Sequence, residues 1–123
     1  EMFFMEIINH VYEGIDLFDQ NGVDRIFEFI LLTVNPSFKG KGIARKLVEL
    51  SEQKGIEEGC QLGKVEASNV ITQYIWKQLG YQPFTVFQFQ EYNKEKGKDV
   101  FDLAAAAPTT GWHCMSKRLD GKS

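Results

Sequence analysis

The chain has 123 residues, of which 43% are hydrophobic and 25% charged, and its formal net charge is −3. This size suits one globular domain with one core, and the acidic balance excludes a general attraction to nucleic acid or to anionic membranes. Two cysteines without a C-x-x-C pattern exclude a disulfide framework, and we expect no metal site. Because no apolar run could cross a bilayer and the N-terminus lacks a basic leader, we expect a cytoplasmic protein.

The first predicted element is an amphipathic helix. Apolar residues recur at three- and four-residue spacing from Phe3 to Ile15, which predicts one buried face over about four turns. Residues 20–24 then read Gln-Asn-Gly-Val-Asp, a sequence typical of a turn.

A strand is predicted at residues 25–34, where nearly every position is apolar, as expected for a strand covered on both faces. Glu28 interrupts it, and a carboxylate in such a strand is costly to bury unless it is paired or exposed. One interpretation is an ion pair or a position at a sheet edge. The other is a general base whose pKa is raised by its surroundings.

A glycine-rich turn follows this strand and leads into an amphipathic helix at residues 43–58. Gly40 and Gly42 allow the backbone to approach a ligand, and the helix directs unpaired N–H groups into the turn. Lysine and arginine side chains at a helix N-terminus oppose the helix dipole unless an anion binds there. The basic cluster therefore favours a phosphate-rich ligand, the alternative being a solvated basic face; it comprises Lys39, Lys41, Arg45 and Lys46.

The second half of the chain continues with a strand at 61–67 and a helix capped by Ser68 or Asn69 that ends before Gly80. The order strand, helix, strand predicts a crossover between parallel strands. Tyr74 is expected in the core. Further strands are predicted at 84–91 and 113–119, joined by an irregular connection in which residues 104–107 form one helical turn.

Two segments resemble the signatures of the GNAT superfamily of N-acetyltransferases. Residues 39–44, Lys-Gly-Lys-Gly-Ile-Ala, resemble R/Q-x-x-G-x-G/A, with Lys39 in place of Arg or Gln. Residues 69–81 resemble N-x-x-A-x-x-L-Y-x-K-x-G-F, with Thr72 at the alanine and Trp76 at the tyrosine. The later part of the chain is similar to the ending of invertebrate arylalkylamine (dopamine) N-acetyltransferases.

The resemblance implies an α/β fold with a GNAT-type mixed sheet flanked by helices, the acyl-CoA N-acyltransferase fold. Two explanations fit the short N-terminal part: a truncated chain, which we favour, or a chain with an unusually small acceptor site. It implies a single GNAT domain over residues 1–123, with a coenzyme-binding core at about 25–91 and C-terminal strands and loop at 84–119. A family member of full length has further elements before the strand at residue 25, and they supply much of the acceptor pocket. Without them one flank of that strand needs cover from the N-terminal helix or a second chain, so a homodimer is one expectation.

The implied function is transfer of an acetyl group from acetyl-CoA to a primary amine, such as an arylalkylamine, by direct attack. Acetyl-CoA is the co-substrate, no metal is needed, and the small-molecule amine is the partner, with neither nucleic acid nor membrane. Glu28 is the implied catalytic base. The implied coenzyme-binding residues are Leu32, Thr33, Val34, Lys39, Gly40, Lys41, Gly42, Ile43, Ala44 and Asn69.

Trp76 leaves a second function open. In the family a tyrosine at this position often protonates the departing thiolate, and an indole N–H has no usable acidity. The alternative is therefore a non-catalytic coenzyme-binding or protein-interaction module built on the same fold. A nucleic-acid-binding domain using residues 39–46 is disfavoured, because basic residues are sparse outside that turn.

Overall fold

The computed structural model describes residues 12–29 and 42–121. The helices are α1 (Leu17–Asn21), α2 (Ile43–Glu57), α3 (Val70–Gln78), α4 (Phe89–Lys96) and α5 (Leu103–Ala106). The strands are β1 (Ile26–Phe29), β2 (Leu62–Ala67), β3 (Gln82–Gln88) and β4 (Gly111–Arg118), and they form a mixed sheet in the order β1-β2-β4-β3. The predicted α/β fold class is therefore confirmed.

The chain divides into two compact units. The first contains the residues up to Asp16 and Glu66–Met115, and the second contains Leu17–Val65 and the residues from Ser116 onward. Strands β2 and β4 each run from one unit into the other. Within the described residues, no helix has both the length and the apolar composition needed to cross a membrane.

Strands β1 and β2 of the second unit are parallel, as predicted from the intervening helix. Ile26 lies opposite Leu62, and the register continues to Phe29 opposite Val65. The Gln61 side chain, just before β2, contacts the segment just before β1. Its Oε1 accepts hydrogen bonds from the backbone N–H groups of Asp24 and Arg25.

Helix α2 matches the predicted helix within one residue. Its Gly55 is buried and lies against the Phe27 ring, so that an added Cβ would be 2.9 Å from Phe27 Cδ2. The glycine therefore permits a close approach of α2 to β1. Gly59 follows the helix with a φ of +83°, the left-handed conformation that ends many helices.

Two apolar residues of α2 are largely exposed. Leu47 and Leu50 are 43% and 56% exposed, whereas Val48, beside the face that carries them, is buried. Helical periodicity gives the spacing of apolar residues but not which of two neighbouring stripes packs on the sheet.

Aromatic residues form the core of the first unit. The buried residues Phe87, Phe89, Tyr92 and Cys114 form a cluster against which Phe101 and Trp112 pack. The Phe89 and Phe101 rings are stacked with centroids 4.4 Å apart. Asn93 holds the segment that carries Phe101 by two hydrogen bonds, donating from Nδ2 to the Phe101 carbonyl and accepting the Phe101 N–H at Oδ1.

This cluster corrects the prediction of an irregular connection after residue 91. Helix α4 begins directly after β3, and the predicted strand at 84–91 ends at Gln88. Because Phe89, Tyr92 and Asn93 are three and four residues apart, they share one helical face. The helical turn predicted at 104–107 is confirmed within one residue as α5.

The predicted N-terminal helix lies mostly outside the described residues. Its expected last turn is wrong, because Tyr12–Gly14 form a turn in which Gly14 has a φ of +74°. Helix α1 occupies part of the segment predicted as a turn, and the turn itself is narrower, at Gly22.

Candidate active site

The start of α2 has the geometry of an anion site. Gly42 precedes the helix in the left-handed conformation, with φ 72° and ψ 14°, and as a glycine it has no side chain with which to cap the helix. The first intrahelical bond runs from the Lys46 N–H to the Gly42 carbonyl. The N–H groups of Ile43, Ala44 and Arg45 consequently have no acceptor within the helix, and the positive end of its dipole lies with them.

The charges near this helix start favour an anion as well. The first turn of α2 contains no acidic residue, while Arg45 and Lys46 are exposed there. The three consecutive predicted residues Gly42, Ile43 and Ala44 therefore lie together where the backbone can bind phosphate oxygens. The other predicted contacts of this turn and strand, Leu32, Thr33, Val34, Lys39, Gly40 and Lys41, lie outside the described residues.

Glu28 lies on β1, an edge strand of the described sheet. Its Oε1 is 3.0 Å from Lys64 Nζ of β2, the residue directly opposite in register, and its side chain is 42% exposed. The ion pair that the sequence suggested as one explanation of this carboxylate is confirmed. The role of Glu28 as a base stays a prediction.

Asn69 is the N-cap of α3, as predicted. Its Oδ1 accepts the Thr72 N–H at 3.0 Å, and Thr72 Oγ1 accepts the Asn69 N–H in return, which completes a capping box. The cap uses Oδ1 as its acceptor, so Nδ2 of Asn69 can still donate a hydrogen bond to a ligand.

The position of the family tyrosine holds a buried indole. Trp76 is 3% exposed, and its ring meets the Tyr81 ring edge-on with centroids 4.9 Å apart. The expectation that Tyr74 packs in the core was wrong, because this side chain is 65% exposed.

The first unit contains a hydrogen bond between a hydroxyl and a carboxylate that the sequence did not predict. Tyr12 Oη donates to Glu66 Oε2 at 2.6 Å, although the two residues are far apart in the chain. Burial, then the hydrogen bond to Glu66 and the proximity of Cys114, raise the pKa of the Tyr12 hydroxyl. The sequence signal was Glu66, the one carboxylate in the strand predicted at 61–67.

Three further side chains carry groups that can act in catalysis, namely His113, Cys60 and Cys114. His113 is partly buried, and burial lowers its pKa. Both cysteines are free thiols, with Cys114 buried and Cys60 partly exposed. In residues 12–29 and 42–121 no three histidine, cysteine or carboxylate side chains are grouped so that they could hold a metal ion.

Residues 7–81 match the model of the acetyltransferase (GNAT) family. The chain belongs to this family. The predicted family resemblance is thereby confirmed.

Solved structures with this fold include arylalkylamine N-acetyltransferase 2 of Aedes aegypti, with 30% sequence identity and a TM-score of 0.84. The match covers 94% of this chain and 53% of that one, so the chain spans about half the length of that relative. The Drosophila melanogaster polyamine N-acetyltransferase, described as catalysing formation of N-acetylagmatine, is 20% identical, with a TM-score of 0.75 and coverage of 94% and 54%. The Escherichia coli ribosomal-protein-S18-alanine N-acetyltransferase is 13% identical, with a TM-score of 0.58 and coverage of 78% and 56%; the last two likenesses concern the fold alone.

Proposed function

We propose that the chain is an acetyl-CoA-dependent N-acetyltransferase that acts on a primary amine of the arylalkylamine class. The observation that carries the proposal is the start of α2, where a left-handed glycine and backbone N–H groups without an acceptor inside the helix coincide with the family signature. The arylalkylamine class is supported by the likeness to the Aedes aegypti enzyme.

In this proposal the backbone at Gly42, Ile43 and Ala44 binds the coenzyme pyrophosphate, together with the predicted residues Lys39, Gly40 and Lys41. Leu32, Thr33 and Val34 hold the pantetheine arm through their backbone groups. Asn69 donates from Nδ2 to a carbonyl of that arm, since its Oδ1 serves the helix cap. The free thiols of Cys60 and Cys114 suit a reducing compartment and support a cytoplasmic location.

The proposed chemistry is direct transfer. The amine nitrogen attacks the thioester carbonyl carbon while Glu28 accepts a proton from the nitrogen, the C–S bond breaks, and the thiolate takes up a proton. Lys64 holds the Glu28 carboxylate in one orientation through their 3.0 Å ion pair.

Calorimetry with acetyl-CoA tests the binding site. Gly42→Glu places a carboxylate at the anion site and should abolish saturable binding. Gly97→Glu is the matched control, because Gly97 also has a positive φ, of +68°, with nothing within 4 Å of an added Cβ. Absence of binding by the unmodified chain, or equal binding by both variants, would refute the site.

Thiol release with a panel of arylalkylamines tests turnover. Glu28→Gln should lower kcat by roughly 100-fold or more, the usual contribution of a general base, with acetyl-CoA affinity retained. Glu58→Gln, which removes only an exposed pair with Lys54, is the control. Full activity of Glu28→Gln would remove Glu28 from the mechanism.

The buried Trp76 favours a second candidate, a coenzyme-binding module without turnover. Saturable acetyl-CoA binding that depends on Gly42, combined with no thiol release for any amine in the panel, would select this candidate over the enzyme.

A further inference from the structure

The carboxyl end of β2 in the first unit is held by several contacts. Gln73 Nε2 donates to the carbonyls of Ala67 and Gly111. Ala67 is the last residue of β2, and Gly111 is the first residue of β4. The Val70 N–H donates to Thr109 Oγ1, next to the capping box of Asn69. These hydrogen bonds hold the backbone at the carboxyl end of β2 in place, and with it any side chain that projects from there.

Glu66 is the charged residue at this end, one position before the last residue of β2. Its side chain is partly exposed, so that a ligand can reach it. Ligands of sheets with parallel strands bind beyond the carboxyl ends of those strands. Asn69, three residues further on, is a predicted coenzyme contact.

Tyr12 fixes the orientation of this carboxylate through the 2.6 Å hydrogen bond to Oε2. The Tyr12 ring is itself placed by Phe84, with centroids 6.0 Å apart. Because burial, Glu66 and Cys114 all raise the pKa of Tyr12, its hydroxyl stays protonated and remains a donor throughout an assay range. Among the described residues Cys114 also lies beside this hydroxyl, and on the same strand as Glu66 the Lys64 ammonium is paired with Glu28.

The proposed reaction removes two protons from the amine nitrogen. A primary amine is an ammonium ion at neutral pH, and it must lose one proton before its nitrogen can attack the thioester. The nitrogen loses a second proton as the C–S bond breaks, and the thiolate gains one, so that one proton is released in total. Glu28 is assigned to the second of these losses.

We propose that Glu66 binds the ammonium group of the acceptor and accepts its first proton, with Tyr12 as the positioning residue. This inference rests on the proposed function. An ionised carboxylate attracts an ammonium ion and forms a charge-assisted hydrogen bond to it, and the acquired proton then passes to solvent from the partly exposed side chain.

The test compares two amines of nearly equal shape, phenethylamine and β,β-difluorophenethylamine. The fluorine atoms lower the basicity of the nitrogen, so the second amine is largely neutral in mildly alkaline buffer. Glu66→Gln should lower kcat/KM for phenethylamine by roughly 100-fold, with a much smaller loss for the fluorinated amine. Glu66→Asp, which keeps a carboxylate, should recover part of the loss. Glu91→Gln, which removes an exposed carboxylate of the same unit, should affect neither amine.

Tyr12→Phe tests the positioning role separately. Without this hydrogen bond the Glu66 carboxylate is no longer held in one orientation, so Tyr12→Phe should lower kcat/KM more for phenethylamine than for the fluorinated amine. Equal effects of Tyr12→Phe on the two amines, or equal losses for the two amines in both Glu66 variants, would overturn the inference and leave the proposed function standing. No thiol release by the unmodified chain would instead overturn the proposed function, and this inference with it.

Discussion

The start of α2 and the contact between β3 and β4 both depend on a glycine, for opposite physical reasons. Gly42 has a φ of +72°, and no atom of residues 12–29 or 42–121 lies within 4 Å of an added Cβ. At Gly111 of β4, an added Cβ would overlap the carbonyl oxygen of Phe87 in β3. The first glycine is required by its backbone angle and leaves space for a ligand, whereas the second is required because no space exists. Glycine content alone therefore does not distinguish a binding turn from a packed core.

The largest expected effect is that of Gly111→Ala. The methyl group would meet rigid backbone rather than a movable side chain, so we expect a loss of roughly 3 kcal/mol or more in the free energy of unfolding. Urea denaturation followed by circular dichroism measures it. A loss below that of the Gly42→Ala variant described below would show that the sheet adjusts easily at this point.

Gly55→Ala should have an intermediate effect. The added Cβ would be 2.9 Å from Phe27 Cδ2, which is the edge of a side chain and can shift in part. We expect a loss of about 1–3 kcal/mol. The double variant Gly55→Ala with Phe27→Leu should lose less than the sum of the single variants. Strict additivity would contradict a direct contact.

Gly42→Ala should lose about 1 kcal/mol, the cost of a left-handed conformation for a residue with a Cβ. Gly97→Ala is its match, because both sites combine a positive φ with open space. Equal losses in thermal unfolding would confirm that the angle alone sets the requirement. A much greater loss at Gly42 would indicate crowding there.

The smallest effect concerns pH. Burial lowers the pKa of His113 below its ordinary value of 6.5, so the unfolded chain binds a proton first as the pH falls. The stability contributed by neutral His113 is thus complete above pH 6.5 and declines below it, until the folded histidine also titrates. The difference in unfolding free energy between the unmodified chain and His113→Asn should shrink on acidification. A difference independent of pH would refute this.

Helices α2 and α3 could be predicted from the sequence because several local signals agreed at each of them. Helix α2 combined a regular apolar spacing, a glycine at its start and a glycine after its end. Helix α3 combined an N-cap at Asn69 with Gly80 after its last turn. Local agreement of this kind is the basis on which a short segment specifies its own structure.

The sequence was less informative where tertiary packing decides. Phe87 and Phe89 alternate with glutamines, which suggested a continuous strand, yet the chain becomes helical after Gln88 so that Phe89 and Tyr92 join the aromatic cluster. The exposure of Leu47, Leu50 and Tyr74 likewise depends on neighbours distant in sequence. The Tyr12–Glu66 pair joins residues 54 positions apart, and no local pattern predicts such a contact.

The strand order has a consequence for how the protein is made. Strand β4 is the last in sequence but lies between β2 and β3. During synthesis, β2 and β3 leave the ribosome while the strand that separates them is still inside the exit tunnel. The nascent chain must keep their edges apart until residue 118 emerges, so the sheet is completed after translation of this segment rather than progressively along it.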